Sequence, residues 1–272
     1  MAQLDLAGIS IHYERFGSGP PLLLLHGLGS SGEDWRLVAP SLHGFTIYVP
    51  DTRGHGRTSR PDGRYDVPLF AEDLAAFCDV LGIEGAHVVG LSMGGMIGLQ
   101  LALDRPELVK SLVVVNSGPA MVPKGFSQWA LIALRFIITF LAGPKRLAPI
   151  VAKKLFPKPE QQGLRDEVTA RIAANDPSAY RRASVGLLGW SVVDRLDTLR
   201  LPVLAVSGDR DYTPVADKQA WVARIAGARL EVIADSGHAT PGDQPAALAA
   251  VIAAFHRVVD AEDTRSYRKA GR

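Results

Sequence analysis

The stretch from Val88 to Ile97 constrains this chain more than any other. A β-branched pair stops at Gly90, Ser92 follows, and Gly94 and Gly95 open an apolar segment that runs to Leu103. That order predicts a strand, an abrupt turn and a helix. Gly90, Ser92 and Gly94 spell G-x-S-x-G, a pattern that holds a serine on a strained turn with its hydroxyl exposed. The flanking glycines have a steric purpose, because a Cβ at either place would drive strand and helix into each other. The helix N-terminus beneath the serine favours negative charge. A serine hydroxyl is a poor nucleophile alone, so the rest of the chain must supply a base, an acid to orient it, and donors for an oxyanion.

Around this stretch strands and helices alternate. Residues 4–16 suggest two short strands joined at Ala7-Gly8, and Leu22 to Leu25 a strand buried on both faces that ends in His26-Gly27-Leu28-Gly29. A helix is expected from about Gly32 to Ala39, a strand over 45–49, and a helix over 68–81. The strand 86–91 and its helix come next, and Pro106 stops that helix near Asp104. After a strand at 108–116, the character changes from about Pro119 to Val193, where helical patterns are broken by prolines and no strand is convincing. The rhythm resumes with a strand at 201–206, a helix at 214–225, a strand at 230–233 and a last amphipathic helix. The reading is an α/β fold, a mainly parallel eight-stranded sheet with helices on both faces. Its core spans 1–118 and 194–260, with an inserted helical lid at 119–193 and a polar, frayed tail at 261–272.

Composition narrows the chemistry. Of 272 residues, 47% are hydrophobic and 21% charged, so a sizeable core is expected, and a net charge of +2 is too small to argue for nucleic acid. Cys78 is the one cysteine and lies on the apolar stripe of the helix at 68–81, which makes it a core thiol and excludes an internal disulfide or a cysteine zinc cluster. The start of the chain lacks the charge and apolar run of a secretory signal. The most apolar stretch, Trp129 to Gly143, is interrupted by Arg135 and too short to span a bilayer. A cytoplasmic protein without membrane contact is the expectation. No phosphate loop, dinucleotide fingerprint or H-E-x-x-H pair occurs, so neither cofactor nor metal is expected.

Together these motifs resemble the α/β-hydrolase fold superfamily over nearly the whole chain: His26-Gly27 after the third strand, the Asp51 to Ser59 loop, the turn at Ser92, a lid, the Gly208 to Asp211 loop, and Ser236-Gly237-His238. The nearest resemblance is to its small serine esterases, enol-lactonases, cofactor-free haloperoxidases and carbon–carbon bond hydrolases. The fold orders its triad as serine, acid, histidine. Of seven histidines, His238 follows the last core strand and completes that order as the base. Two carboxylates, Asp209 and Asp211, follow the preceding strand; the resemblance favours Asp211, while a short spacing to Pro214 keeps Asp209 open. It also implies oxyanion donors in the backbone N–H groups of Leu28 and Met93, and makes Asp51 and Arg53 braces of their loop, with Arg53 and Arg57 in a paired surface network. His26, Phe126, Trp129 and Trp190 are candidate pocket-lining residues.

The activity so implied is hydrolysis of a small ester or lactone with an apolar part through an acyl-enzyme. A carbon–carbon bond hydrolase, an acyl transferase, and a ligand receptor with slow residual hydrolysis are the alternatives.

Overall fold

The computed structural model describes residues 2–122, 125 and 143–270. Eight strands form one sheet: β1 (Ala2–Leu6), β2 (Ile9–Gly17), β3 (Pro21–Leu25), β4 (Thr46–Pro50), β5 (Ala86–Leu91), β6 (Val109–Val115), β7 (Val203–Gly208) and β8 (Arg229–Ile233). Their order across the sheet is β1-β2-β4-β3-β5-β6-β7-β8. The pairs β1/β2 and β2/β4 are antiparallel and every later pair is parallel.

Unbroken apolar runs make the central strands because both faces of the sheet are covered. In β3, Leu23 and Leu25 face one core, while Leu22 and Leu24 face the other. β6 divides in the same way, with Leu112 and Val114 on one side and Val113 and Val115 on the other. Period two sends successive side chains to opposite faces, so a strand buried on both has little room for polar residues, and buried ones such as His87 and Ser111 bond to each other. Each fully buried leucine of this kind contributes about 1.5–3 kcal/mol.

Helices α1 (Val67–Leu81) and α2 (Met93–Asp104) pack on the first face. Asp66 caps α1 by accepting from the N–H of Leu69, and Gly82 ends it in the left-handed region at φ 63°. Phe70, Leu74, Phe77 and Cys78 form its inward stripe; burial pushes the Cys78 thiol up to about 12, which suits a core residue. The long last helix carries Leu248, Ile252, Phe255 and Val259 onto the opposite face. Between β6 and β7 the described residues hold helical residues 143–155 (α3), α4 (Gln162–Ala173) and α5 (Pro177–Gly186). The two ends of that insertion pair with each other at Ala120 and Ser191. α6 (Val215–Val222), α7 (Thr240–Asp243) and α8 (Pro245–Ala270) complete the chain. Among the described residues no helix is long and apolar enough to cross a membrane.

Three expectations are corrected. The helix expected over 32–39 is two short 3-10 turns, Gly32–Trp35 and Ala39–Ser41. Trp35 is fully buried, and Asp34 is drawn into bonds outside its own turn, so tertiary contacts override helical propensity. The tail expected to fray beyond 260 continues α8 to Ala270, across a stretch free of proline and glycine. Arg53 is buried rather than on the surface, because it forms a two-pronged ion pair with Asp73 of α1.

Far from the carboxyl edge of the sheet, His256 of α8 is buried against Phe45 and His87, at ring separations of 5.1 and 4.4 Å. Neither of its ring nitrogens has a hydrogen-bond partner. Burial, reinforced by His87, pulls its pKa down to about 3. The unfolded chain therefore binds a proton at this position below about pH 6.5 that the folded chain refuses, so stability falls as pH drops through that window. Thermal unfolding followed by circular dichroism is expected to show Tm falling from pH 7 to pH 4, and falling less in His256→Phe. Equal slopes in the two proteins would contradict this account.

Candidate active site

All the parallel strands end on one edge, and the chemistry collects there. β5 delivers Ser92 at φ 52° and ψ −114°, a conformation that costs a non-glycine residue about 1–3 kcal/mol. The crossing that enforces it is tight. A Cβ on Gly90 would stand 2.2 Å from the carbonyl oxygen of Gly94, and one on Gly94 would stand 2.3 Å from that of Leu25. Only hydrogen fits at either position.

His238 lies in the loop after β8. Its Nδ1–H donates to Asp211 Oδ1 at 2.8 Å, which leaves Nε2 to accept from the Ser92 hydroxyl at 3.0 Å. The carboxylate thus fixes the tautomer that a base for Ser92 requires. The side chain of Asp211 is wholly buried. Burial alone would raise its pKa, but bonds from His238, Lys218 and Thr213 outweigh that and hold it at about 2. Asp209 points elsewhere, accepting the N–H of Ser236 at 2.9 Å. Of the two carboxylates in this loop, Asp211 is the one in contact with His238.

Met93 follows Ser92 directly, and Leu28 lines the same cavity as Ser92. Met93 opens α2, so its N–H has no intrahelical acceptor. The backbone beside Leu28 runs close by: a Cβ on Gly27 would be 3.7 Å from Ser92 Cβ. Asp34 accepts the N–H of Gly27 at 3.2 Å and steadies that turn.

Ser92, His238, Leu28 and Leu91 form the floor of a cavity. Its walls include Val151 and Leu155 of α3 with Leu164, Val168 and Ile172 of α4. Two ion pairs on its rim, Arg171–Asp34 at 2.7 Å and Arg36–Glu167, tie α4 to the segment after β3. The interior is largely aliphatic and suits an apolar substituent.

Two of the expected lining residues do not line this cavity. His26 is fully buried, with Nδ1–H donating to Gly27 O at 2.8 Å and Nε2 accepting from Thr52 N at 2.9 Å. It ties the loop after β3 to the loop after β4. Trp190 is buried in the first core and donates from Nε1 to Gln100 Oε1 at 2.7 Å. Both were candidates by sequence position alone, and each instead satisfies a polar group inside the fold. Phe126 and Trp129 lie outside the described residues. Asp51 spans its own neighbourhood, accepting from Gly32 N at 2.8 Å and Arg57 N at 2.9 Å.

Three residues that sequence reasoning passed over belong to the site. Tyr212 stacks on His238 with ring centroids 4.1 Å apart, and its hydroxyl lies 2.7 Å from Nε2. Lys218 donates to Asp211. Asn116, at φ 46° just after β6, joins three strand ends. Its amide nitrogen, with two hydrogens, lies within hydrogen-bonding distance of three acceptors, Gly237 O, His238 O and Thr240 Oγ1, and its amide oxygen accepts from Gly208 N. An asparagine directly after Val113 to Val115 was the available signal, since asparagine tolerates positive φ. Asp243 adds a second brace by accepting from Gly237 N at 2.8 Å and Ser236 Oγ at 2.9 Å; burial keeps its pKa above the usual carboxylate range.

With this geometry described, comparison with known proteins places the chain. A family model described as alpha/beta hydrolase fold matches residues 20–245. The chain belongs to that family and is a hydrolase. It is 32% identical over 244 residues to the pimeloyl-[acyl-carrier protein] methyl ester esterase of Aeromonas hydrophila, covering 85% of this chain and 93% of that protein. It is 30% identical over 272 residues to the 2-hydroxymuconate semialdehyde hydrolase of Pseudomonas sp. strain CF600, covering 95% and 94%. Among solved structures, the enol-lactonase of Burkholderia xenovorans LB400 superposes with a TM-score of 0.87 at 22% identity, covering 94% of this chain and all of that one.

The Asn116 clamp yields a direct expectation. Asn116→Ala strands buried donors and acceptors at three strand ends, so urea unfolding should show a loss of about 2–4 kcal/mol. A change within about 0.5 kcal/mol, the range of ordinary surface substitutions, would contradict the clamp.

Proposed function

We propose that the protein is a serine hydrolase that cleaves a carboxylic ester or lactone through an acyl-enzyme. One observation carries the reading: the unbroken chain from Asp211 through His238 to Ser92 Oγ, opening into a mainly aliphatic cavity. Ser92 Oγ attacks the carbonyl carbon while its proton passes to His238 Nε2. Asp211 stays ionised and stabilises the imidazolium. Negative charge on the carbonyl oxygen falls to the N–H groups of Leu28 and Met93, and each such donor is worth about 3–4 kcal/mol in the transition state. The tetrahedral intermediate expels the alkoxide, which takes the proton from His238. Water, deprotonated by the same nitrogen, attacks the acyl-enzyme, releases the acid and restores Ser92. In a lactone the alkoxide remains tethered to the acyl group, so one hydroxy acid is the product.

The esterase relative supports the ester reading, with the apolar walls indicating where an alkyl or acyl chain would lie. A second reading is cleavage of a carbon–carbon bond by the same residues, alongside a relative named a semialdehyde hydrolase. Product analysis separates the two.

Ser92→Ala is expected to lower kcat/KM for short-chain p-nitrophenyl esters by at least about a thousandfold. A fluorophosphonate probe should label the wild-type protein at Ser92, as read by peptide mass spectrometry. Activity unchanged in Ser92→Ala, or labelling confined to another serine, would overturn the proposal.

A further inference from the structure

Lys218 is an anomaly. It belongs to α6, where it shares the inward face with Trp221 and Val222, and its side chain is only 2% exposed. Burying an ammonium is costly unless its donors are all occupied. They are: Nζ lies 2.7 Å from Asp211 Oδ2, 2.8 Å from the carbonyl oxygen of Thr213 and 2.7 Å from Thr213 Oγ1. The Thr213 hydroxyl donates in turn to Asp211 Oδ2. The two oxygens of Asp211 are thereby divided. Oδ1 serves His238, and Oδ2 serves a buried cation.

We propose that Lys218 is a positioning residue for the reaction: it takes up part of the charge of Asp211, locks the carboxylate plane toward His238, and so sets the pH range over which Ser92 reacts. This rests on the serine hydrolase reading above. A carboxylate facing the imidazole alone would stabilise its protonated form with a full charge. The Asp211–Lys218 pair sums to zero, so the imidazolium that forms during the reaction gains less from it. The hydrogen bond that orients the ring survives, because Oδ1 is untouched. Few other titratable groups bear on this arrangement. Tyr212 stacks on the imidazole with its hydroxyl 2.7 Å from Nε2, and Lys154 of α3 stands over the phenol ring at 4.9 Å. Asp209 is turned to Ser236, and Asp243 to Ser236 and Gly237.

The test is the rate of fluorophosphonate labelling of Ser92 as a function of pH, in the full chain, which needs no knowledge of the substrate. Lys218→Met is expected to slow labelling at pH 7 by about tenfold and to move the acid limb up by about one pH unit. Lys218→Gln, which keeps a donor without the charge, should move the limb in the same direction and serves if the methionine variant does not fold. Thr213→Val disturbs the same spot but leaves both charges; it should slow labelling less and leave the limb in place. Circular dichroism confirms that each variant is folded. An unmoved acid limb in a folded Lys218→Met or Lys218→Gln protein overturns the proposal, as does an equal shift in Thr213→Val. Failure of the wild-type protein to label at Ser92 overturns the hydrolase reading instead, so the two failures are distinct.

Discussion

The structure depends on how closely β5 and α2 cross. The chain reverses direction within a few residues; Gly90 has space for hydrogen alone against α2, and Gly94 has the same against Leu25 of the neighbouring β3. Ser92 absorbs the remaining bend in an unfavourable region of backbone space. This strain is held by burial: β5 is sheltered along its whole length, and the segment Met93 to Ala102 is buried with it. A serine so placed presents its hydroxyl to the cavity.

Everything else on that edge serves to bring distant loops to this fixed point. Asn116 joins the ends of β6 and β7 to the His238 loop, and Asp243 braces the same loop from α7. His26 and Asp51 do comparable work on the other flank. These are buried polar groups whose bonds are satisfied, and in a low-dielectric interior such networks specify one geometry. The charges follow the same logic. Asp211 is wholly buried yet ionised because His238, Lys218 and Thr213 surround it, whereas His256 is buried without partners and gives up its charge.

Much of this was legible in the linear chain. Strands buried on both faces announce themselves as unbroken apolar runs, and the glycines around Ser92 declare a turn that no other residue permits. The order of Ser92, the Gly208 to Asp211 loop and His238 then follows the fold. What failed was reasoning from local position. His26 and Trp190 sit where a cavity wall was plausible, and both turned out to satisfy buried hydrogen bonds. The helix after Gly29 dissolved into 3-10 turns because Trp35 and Asp34 answer to distant partners. Lys218 was visible as a charge on the apolar face of its helix, but its meaning required knowing what lay opposite.

The sequence by itself determined the sheet and the turn at Ser92, since periodicity and steric exclusion act between near neighbours. Only the tertiary structure brought Asp211 rather than Asp209 against His238, placed Asn116, Tyr212 and Lys218 around them, and separated cavity wall from core. Those outcomes depend on which side chains from remote strand ends fall within hydrogen-bonding distance, and chain order does not record such distances.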